Sequence, residues 1–383
     1  GSSGQGAGIG QVNFSGLVVQ SPSLNINGNS RPNPSGSFPD LGIYESTLSK
    51  PTFERFEVDI SGTKDFTSIS SAISASSKND TVIVYPGTYA ENITLNKGIT
   101  LISEKGADST IIDAQSFGTV LTISENLTDA ATIDGFTLKN GNTSNGQKSG
   151  GINVLASASV DIRIKNCIIT DNQSHQGGGV FANGGSYYNC KIINNTAGFE
   201  GGGVFIQTNQ SPLFENCLIA DNGWNSIGSA ISNKATLVNC TVTGNDGPWV
   251  WKYAGQSTIV NTIIHGNFDS NAESGIIEGS IESTESTVSY SNIEGGYPGV
   301  GNIDKSPQFL DPSSGNYSLS NYSPSLGLGT SSGTPVIDIN GVTRPLPSGS
   351  NPDMGAFENN LSAPLDPPTP VSYTHLTLPT MDS

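Results

Sequence analysis

The sequence has little charge, little basic character and no long apolar run. Only 13% of its 383 residues are charged, and 16 Lys and Arg stand against 33 Asp and Glu, which gives a net charge of −17. So little charge excludes long solvent-exposed helices, because these need charged outer faces. The excess of acid argues against nucleic acid and anionic membranes as partners, since both attract basic patches. No apolar run is long enough to span a membrane, and we expect no membrane insertion.

The chain is rich instead in glycine, with 47 residues, and in short repeated segments. Five segments share the template N-[C/T]-x-[I/V]-x-x-N: NCIITDN (166–172), NCKIINN (189–195), NCLIADN (216–222), NCTVTGN (239–245) and NTIIHGN (261–267). Apolar residues at alternate positions are typical of short strands with one buried face. Copies 22 to 27 residues apart suit three strands and three turns per coil. The repeat predicts an all-β fold, a right-handed parallel β-helix (solenoid) with coils about 4.8 Å apart.

Stacked coils place equivalent residues in columns. The interior columns predicted are Cys167, Cys190, Cys217, Cys240, Thr262 and Ile169, Ile192, Ile219, Val242, Ile264. We expect the cysteines to be buried free thiols, because stacked side chains point in parallel. Asn at each turn tolerates left-handed backbone and can bond to its counterpart in the next coil. Upstream, residues 65–113 predict a short N-terminal capping helix with Phe66, Ile69 and Ile73 on one face.

One long segment is duplicated within the chain. Residues 26–51 align without gaps to 339–364, with 16 of 26 positions identical. We therefore expect 1–51 to be the C-terminal tail of a preceding tandem module and 52–364 to be one β-helix module. Residues 365–383 are interpreted as a linker followed by VSYTHLTLPT (371–380), which resembles a translated sequencing adapter, so His375 is set aside.

Two segments resemble a known family. Residues 65–113 are similar to the entry of the pectin-lyase-like β-helix superfamily. The stretch 291–329, followed by DINGVTRP and DMGAFE, resembles the C-terminal signature of secreted bacterial β-helix proteins. The resemblance implies an extracellular or cell-surface location and a polysaccharide or cell-surface glycan as partner. No cofactor is predicted; calcium would suit a lyase of this superfamily, but residues 338–341 predict an Asx turn rather than a calcium loop.

The family's catalytic motifs are largely missing. The esterase motifs of the GTVDFIFG and RPW types are absent, and Arg163-Ile164-Lys165 spells RIK without the polygalacturonase motifs that should precede it. A lyase base at Arg163 or Lys165, with Lys191 one coil further on, is one interpretation; solvated outward side chains are the other. His175 and His265 are predicted to be surface residues, and His265 to have no acid or nucleophile aligned beside it. No metal site is predicted.

The aromatic residues offer a binding surface. Trp249, Trp251 and Tyr253 alternate within PWVWKY (248–253), and Trp224 lies about one coil earlier. These side chains could stack on sugar rings if they point outward, or fill the core if they point inward. Our leading hypothesis is an extracellular, non-catalytic module of a tandem-repeat protein that binds polysaccharide or a cell surface. The alternative is a polysaccharide lyase or carbohydrate esterase.

Overall fold

The computed structural model describes residues 53–207, 210–224, 229–232, 234–247, 249–252, 256–270, 279–281 and 285–366, together with 11–14, 17–20, 23, 27 and 30. The chain divides into two units, Gly1–Glu54 and Arg55–Ser383. The first contains an antiparallel hairpin of β1 (Gln11–Phe14) and β2 (Leu17–Gln20). The predicted boundaries of the three segments stay predictions, since most of 1–51 and all of 367–383 lie outside the described residues.

The second unit winds through three long parallel sheets. Sheet A has ten strands: β3 (Arg55–Val58), β4 (Thr81–Val84), β7 (Thr100–Ser103), β10 (Ala131–Asp134), β14 (Ile162–Lys165), β18 (Ser186–Tyr188), β22 (Leu213–Glu215), β26 (Thr236–Val238), β29 (Thr258–Val260) and β32 (Thr287–Ser289). Sheet B has nine: β5 (Gly87–Tyr89), β8 (Thr110–Asp113), β11 (Thr137–Lys139), β15 (Ile168–Thr170), β19 (Lys191–Ile193), β23 (Leu218–Ala220), β27 (Thr241–Thr243), β30 (Ile263–Ile264) and β33 (Asn292–Ile293).

Sheet C has eight strands: β6 (Ile93–Leu95), β9 (Leu121–Ile123), β13 (Ile152–Val154), β17 (Val180–Ala182), β21 (Val204–Ile206), β25 (Ser229–Ser232), β28 (Trp249–Lys252) and β31 (Gly279–Ile281). A shorter sheet D joins sheets B and C through β12 (Asn142–Lys148), β16 (Gln173–Gln176), β20 (Thr196–Glu200) and β24 (Gly223–Trp224). Beyond the coils, β34 (Phe309–Asp311) and β35 (Asn316–Leu319) form a hairpin around the 3₁₀ turn Pro312–Ser314. The predicted all-β parallel solenoid is confirmed.

The helix α1 (Ile69–Ala75) lies at the first coil, as predicted. Ser68 caps it, and Glu91 accepts hydrogen bonds from the backbone N–H groups of Ile69 and Ser70, 2.9 Å each. Ile69 and Ile73 are buried against the coil. Phe66 instead lies before the helix and bridges to Val58, so it extends the sheet and belongs to no helical face.

The interior columns are confirmed. Strands β15, β19, β23, β27 and β30 are in register, which superimposes the predicted isoleucine and valine positions. All four cysteines are free and fully buried. Their burial disfavours the thiolate, and it raises the pKa of both Cys167 and Cys217. These thiols therefore serve as small apolar core residues.

The two asparagines of each repeat have different roles. The leading Asn ends a strand of sheet A with left-handed backbone, φ 50° to 54° in Asn166, Asn189, Asn216, Asn239 and Asn261. The trailing Asn is buried and forms a hydrogen-bonded ladder between coils. Its side-chain amide donates to the next Oδ1 at 2.9–3.0 Å, through Asn172, Asn195, Asn222, Asn245 and Asn267. The ladder satisfies the buried side-chain amides at these turns.

Candidate functional site

A C-terminal segment, residues 335–358, runs back along the solenoid; we call it the strap. It docks on the leading asparagines, where sheet A turns into sheet B. Asn216 Nδ2 donates to the Ile337 carbonyl at 2.6 Å, and Asn239 Nδ2 donates to the Asp353 carbonyl at 3.2 Å. The backbone N–H of Ala356 donates to Thr241 Oγ1 at 3.0 Å. The left-handed turn residues therefore serve as the strap's docking points.

A buried ion pair stabilises the strap. Arg344 Nε lies 2.8 Å from Glu358 Oε2, and both side chains are 0% exposed. Arg344 also donates to Asn216 Oδ1 at 2.7 Å and to the Gly355 carbonyl at 3.1 Å. Burial raises the pKa of Glu358, and it raises the pKa of neighbouring Asp353 to about 7. The buried guanidinium of Arg344 therefore bonds both to Glu358 of the strap and to Asn216 of the solenoid.

A groove opens between the strap and the outer face of sheet A; we call it the strap groove. Its volume is about 400 Å³. It is lined by Arg163, Lys165, Tyr188, Asn189, Glu215, Asn216, Pro335, Val336 and Ile337. Alternation along β14 buries Ile162 and Ile164 and turns the residues after them outward.

The floor of the strap groove is one outward column. Lys165, Tyr188 and Glu215 occupy equivalent positions in β14, β18 and β22. Each directly precedes a leading asparagine, so each side chain lies beside the turn on which the strap docks. The column brings an ammonium group, a phenol ring and a carboxyl group together along the solenoid axis.

The guanidinium of Arg163 in the strap groove is paired with a carboxylate. Arg163 forms a bidentate ion pair with Asp161, with Nε 3.0 Å from Oδ1 and Nη2 2.7 Å from Oδ2. This hydrogen bonding raises the pKa of Arg163, so the guanidinium holds its proton. Burial raises the pKa of Glu215, while the charge of Arg344 opposes that shift. Arg163 is therefore poorly suited to abstract a proton.

The three cationic candidates from the sequence do not converge. Arg163 and Lys165 both line the strap groove. Lys191 lies beyond the turn at Asn189, at the start of β19 in sheet B. Lys191 lines two other cavities, one beside Asp108 and Asn340 and one beside Asp221. The prediction that places Lys191 with Arg163 and Lys165 is thus not supported by the cavities, because the tight turn at each leading Asn separates the two faces.

The predicted aromatic surface is only partly described. Trp249 and Trp251 lie on β28, where Trp251 is in register with the fully buried Ile231 of β25. Trp224 ends β24 of sheet D. The side chains of these three residues and all of Tyr253 lie outside the described part of the chain. Sugar stacking on this set stays a prediction.

The surroundings of His265 differ from the prediction. Its Nδ1 lies 3.8 Å from Glu294 Oε2, and its Nε2 lies 3.9 Å from Asp304 Oδ1. The expectation that no acid lies beside it is therefore wrong. Both carboxylates come from the segment that follows the last repeat, which comparison of the coils alone could not place.

Tyr188, Glu215 and the strap were not predicted from the sequence. A signal for the first two existed, because they occupy the Lys165 position of the next two repeats.

Residues 338–342 form the predicted Asx turn, with Asp338 Oδ1 accepting from the N–H groups of Asn340 and Val342, 2.8 Å each. Among the described residues, there is no cluster of three or more His, Cys, Asp or Glu side chains that could hold a metal ion. Nor does a described helix have the length and apolar character of a membrane span.

Comparison with known proteins identifies the family. The family model for the right handed beta helix region matches residues 97–267 and 188–309, more than half of the chain. The chain belongs to the right-handed β-helix family. Membership of this family confirms the handedness that the repeat predicted.

Several solved structures are similar to this β-helix protein at low sequence identity. Pectate lyase Pel9A is 17% identical, with a TM-score of 0.47 over 81% of this chain and 97% of its own. Pectin methylesterase from carrot is 15% identical, with a TM-score of 0.38 over 72% and 100%. Pectin methylesterase PemA from Erwinia chrysanthemi is 13% identical, with a TM-score of 0.34 over 66% and 82%. No curated protein sequence matches the chain.

Proposed function

We propose that this β-helix is a non-catalytic module that binds polysaccharide in the strap groove, outside the cell. The observation that carries the proposal is the column Lys165, Tyr188 and Glu215 beneath the strap. An aromatic ring supplies a face for the C–H side of a sugar, and the flanking charged groups supply donors and acceptors for its hydroxyls. The extracellular location rests on the resemblance of residues 291–329 to secreted β-helix proteins.

Two of the three cationic candidates are poorly suited to lyase chemistry in the strap groove. A lyase needs a group that accepts a proton from the sugar, and Arg163 is held protonated by Asp161. Lys191, the third candidate, opens onto other cavities. A polysaccharide lyase or carbohydrate esterase remains the second candidate. Lys165 and Glu215 line the groove and are its candidate bases, and burial raises the pKa of the Glu215 carboxyl.

We also propose that the module is one of a tandem series. Four residues that form contacts in the strap, Arg344, Asp353, Gly355 and Glu358, have identical counterparts in the duplicated segment: Arg31, Asp40, Gly42 and Glu45. These four belong to the 16 identical positions of the duplicated segment. The duplication therefore supports a tandem arrangement in which the C-terminal segment of the module occurs more than once.

A glycan array on the purified chain, followed by product analysis of each bound glycan, tests the function. We expect binding without cleavage, and loss of binding in Tyr188→Ala. Tyr322→Ala is the matched control, because Tyr322 is 40% exposed and does not line the groove. Trp251→Ala tests the aromatic set from the sequence. Released product that disappears in Glu215→Gln would establish the enzyme instead.

A further inference from the structure

Three cavities on sheet A meet at the Arg163–Asp161 pair. Upstream of the strap groove lies a cavity of about 200 Å³ lined by Asn79, Thr100, Thr132 and their neighbours; we call it the upstream groove. Beside both lies a cavity of about 350 Å³ that includes Ser159, Ser186 and Ser211. Arg163 lines the strap groove and the upstream groove. Asp161 lines the upstream groove and the cavity of about 350 Å³.

The grooves are aligned by strand register. Thr100, Thr132, Arg163 and Ser186 occupy the same position in β7, β10, β14 and β18. From β7 to β22 there are four steps between strands, which at ~4.8 Å each make roughly 19 Å along the axis. A disaccharide reaches only part of that length, whereas an extended oligosaccharide covers both grooves.

The polar groups along this path suit uncharged hydroxyls. Two of the N–H groups of Arg163 are taken by Asp161, which leaves further N–H donors for a ligand. A sugar hydroxyl can accept from these donors and donate to an Asp161 oxygen without breaking the pair. A carboxylate ligand at the same donors would instead lie close to the carboxylates of Asp161 and Glu215, in a chain whose net charge is −17.

We infer that the ligand is an extended, neutral polysaccharide that lies parallel to the solenoid axis, across the upstream and strap grooves, over the Arg163–Asp161 pair. The inference rests on the proposed binding function and specifies its ligand class. The hydroxyls of Thr100 and Thr132, in the Arg163 row, provide the upstream contacts. Tyr188 provides the stacking surface at the strap.

The test is calorimetry of the full chain with neutral hexasaccharides of β-1,4-linked xylose, glucose and mannose, and with hexagalacturonate as the anionic probe. We expect at least one neutral hexasaccharide to bind more tightly than hexagalacturonate and more than tenfold more tightly than its disaccharide. Raising NaCl from 50 to 500 mM should leave the neutral affinity within about twofold, because no ion pair forms with the ligand.

Matched variants test the upstream path. Thr132→Val removes a hydroxyl from the upstream groove at nearly constant shape, and it should weaken hexasaccharide binding about three- to tenfold while leaving disaccharide binding unchanged. Thr258→Val is the control, because Thr258 is exposed in the same row but lines none of the three cavities. Preference for hexagalacturonate, or equal affinity for neutral di- and hexasaccharides, would overturn the inference while leaving the binding function intact. Absence of any glycan binding would contradict the binding function itself.

Discussion

Replacing Arg344 by Met is the sharpest test of the strap. The substitution keeps a long side chain but removes the charge that pairs with Glu358 at 2.8 Å. It also removes the hydrogen bonds to Asn216 Oδ1 and the Gly355 carbonyl. Since both partners of the pair are 0% exposed, Glu358 would remain as an uncompensated buried acid.

Loss of one partner of a buried pair costs about 3–5 kcal/mol in the free energy of unfolding. We expect Arg344→Met to fall in that range in urea denaturation followed by circular dichroism. Arg55→Met is the matched control, because Arg55 also contacts a glutamate at 2.7 Å but its side chain is 58% exposed. A pair so exposed contributes less than about 1 kcal/mol.

A double variant separates the lost charge from lost packing. Arg344→Met with Glu358→Gln removes both charges, so it should be more stable than Arg344→Met alone. Hydrogen exchange should show the extra opening within the strap before the coils open. Equal stability of Arg344→Met and Arg55→Met would refute the view that the buried pair anchors the strap.

Three further predictions concern the ladder, the strap and the core. Asn222→Ala should cost about 2–4 kcal/mol in urea denaturation, because Asn222 Oδ1 accepts from the backbone and side-chain N–H groups of Asn195 at 3.0 Å each; Asn360→Ala, at an exposed site, should cost below about 0.5 kcal/mol. Stability should fall as pH rises from about 4 through 7, by up to roughly 4 kcal/mol, because the raised pKa of Asp353, about 7, makes the folded state bind its proton more tightly than the unfolded state; Asp353→Asn should flatten that slope, and an unchanged slope would contradict the assignment. Ellman's reagent should label none of the four cysteines in the folded chain and all of them in urea, whereas rapid labelling of the folded chain would contradict their burial.

The repeat template predicted the solenoid because each position has one environment in every coil. The leading Asn could be recognised as a turn residue and the interior Cys and Ile as core from alternation alone. The template also contains the groove floor, since Lys165, Tyr188 and Glu215 precede successive leading asparagines. Because these three side chains differ chemically, a search for a shared motif does not reveal that they occupy the same position in successive coils.

The strap could not be predicted in the same way. Its contacts join residues far apart in sequence, and Arg344 and Asn216 are separated by 128 positions. No periodicity relates the strap to the coil on which it docks. The carboxylates beside His265 were missed for the same reason, because Glu294 and Asp304 belong to the segment beyond the last repeat.

The most direct test of the binding function is a crystal structure of the chain with the glycan that binds best on the array. We expect an intact oligosaccharide with one ring stacked on Tyr188, bounded by the strap at Val336 and continuing past Arg163 toward Thr132. A glycan seated away from the strap groove, for example around Trp249 and Trp251, or a cleaved product within the groove, would contradict it.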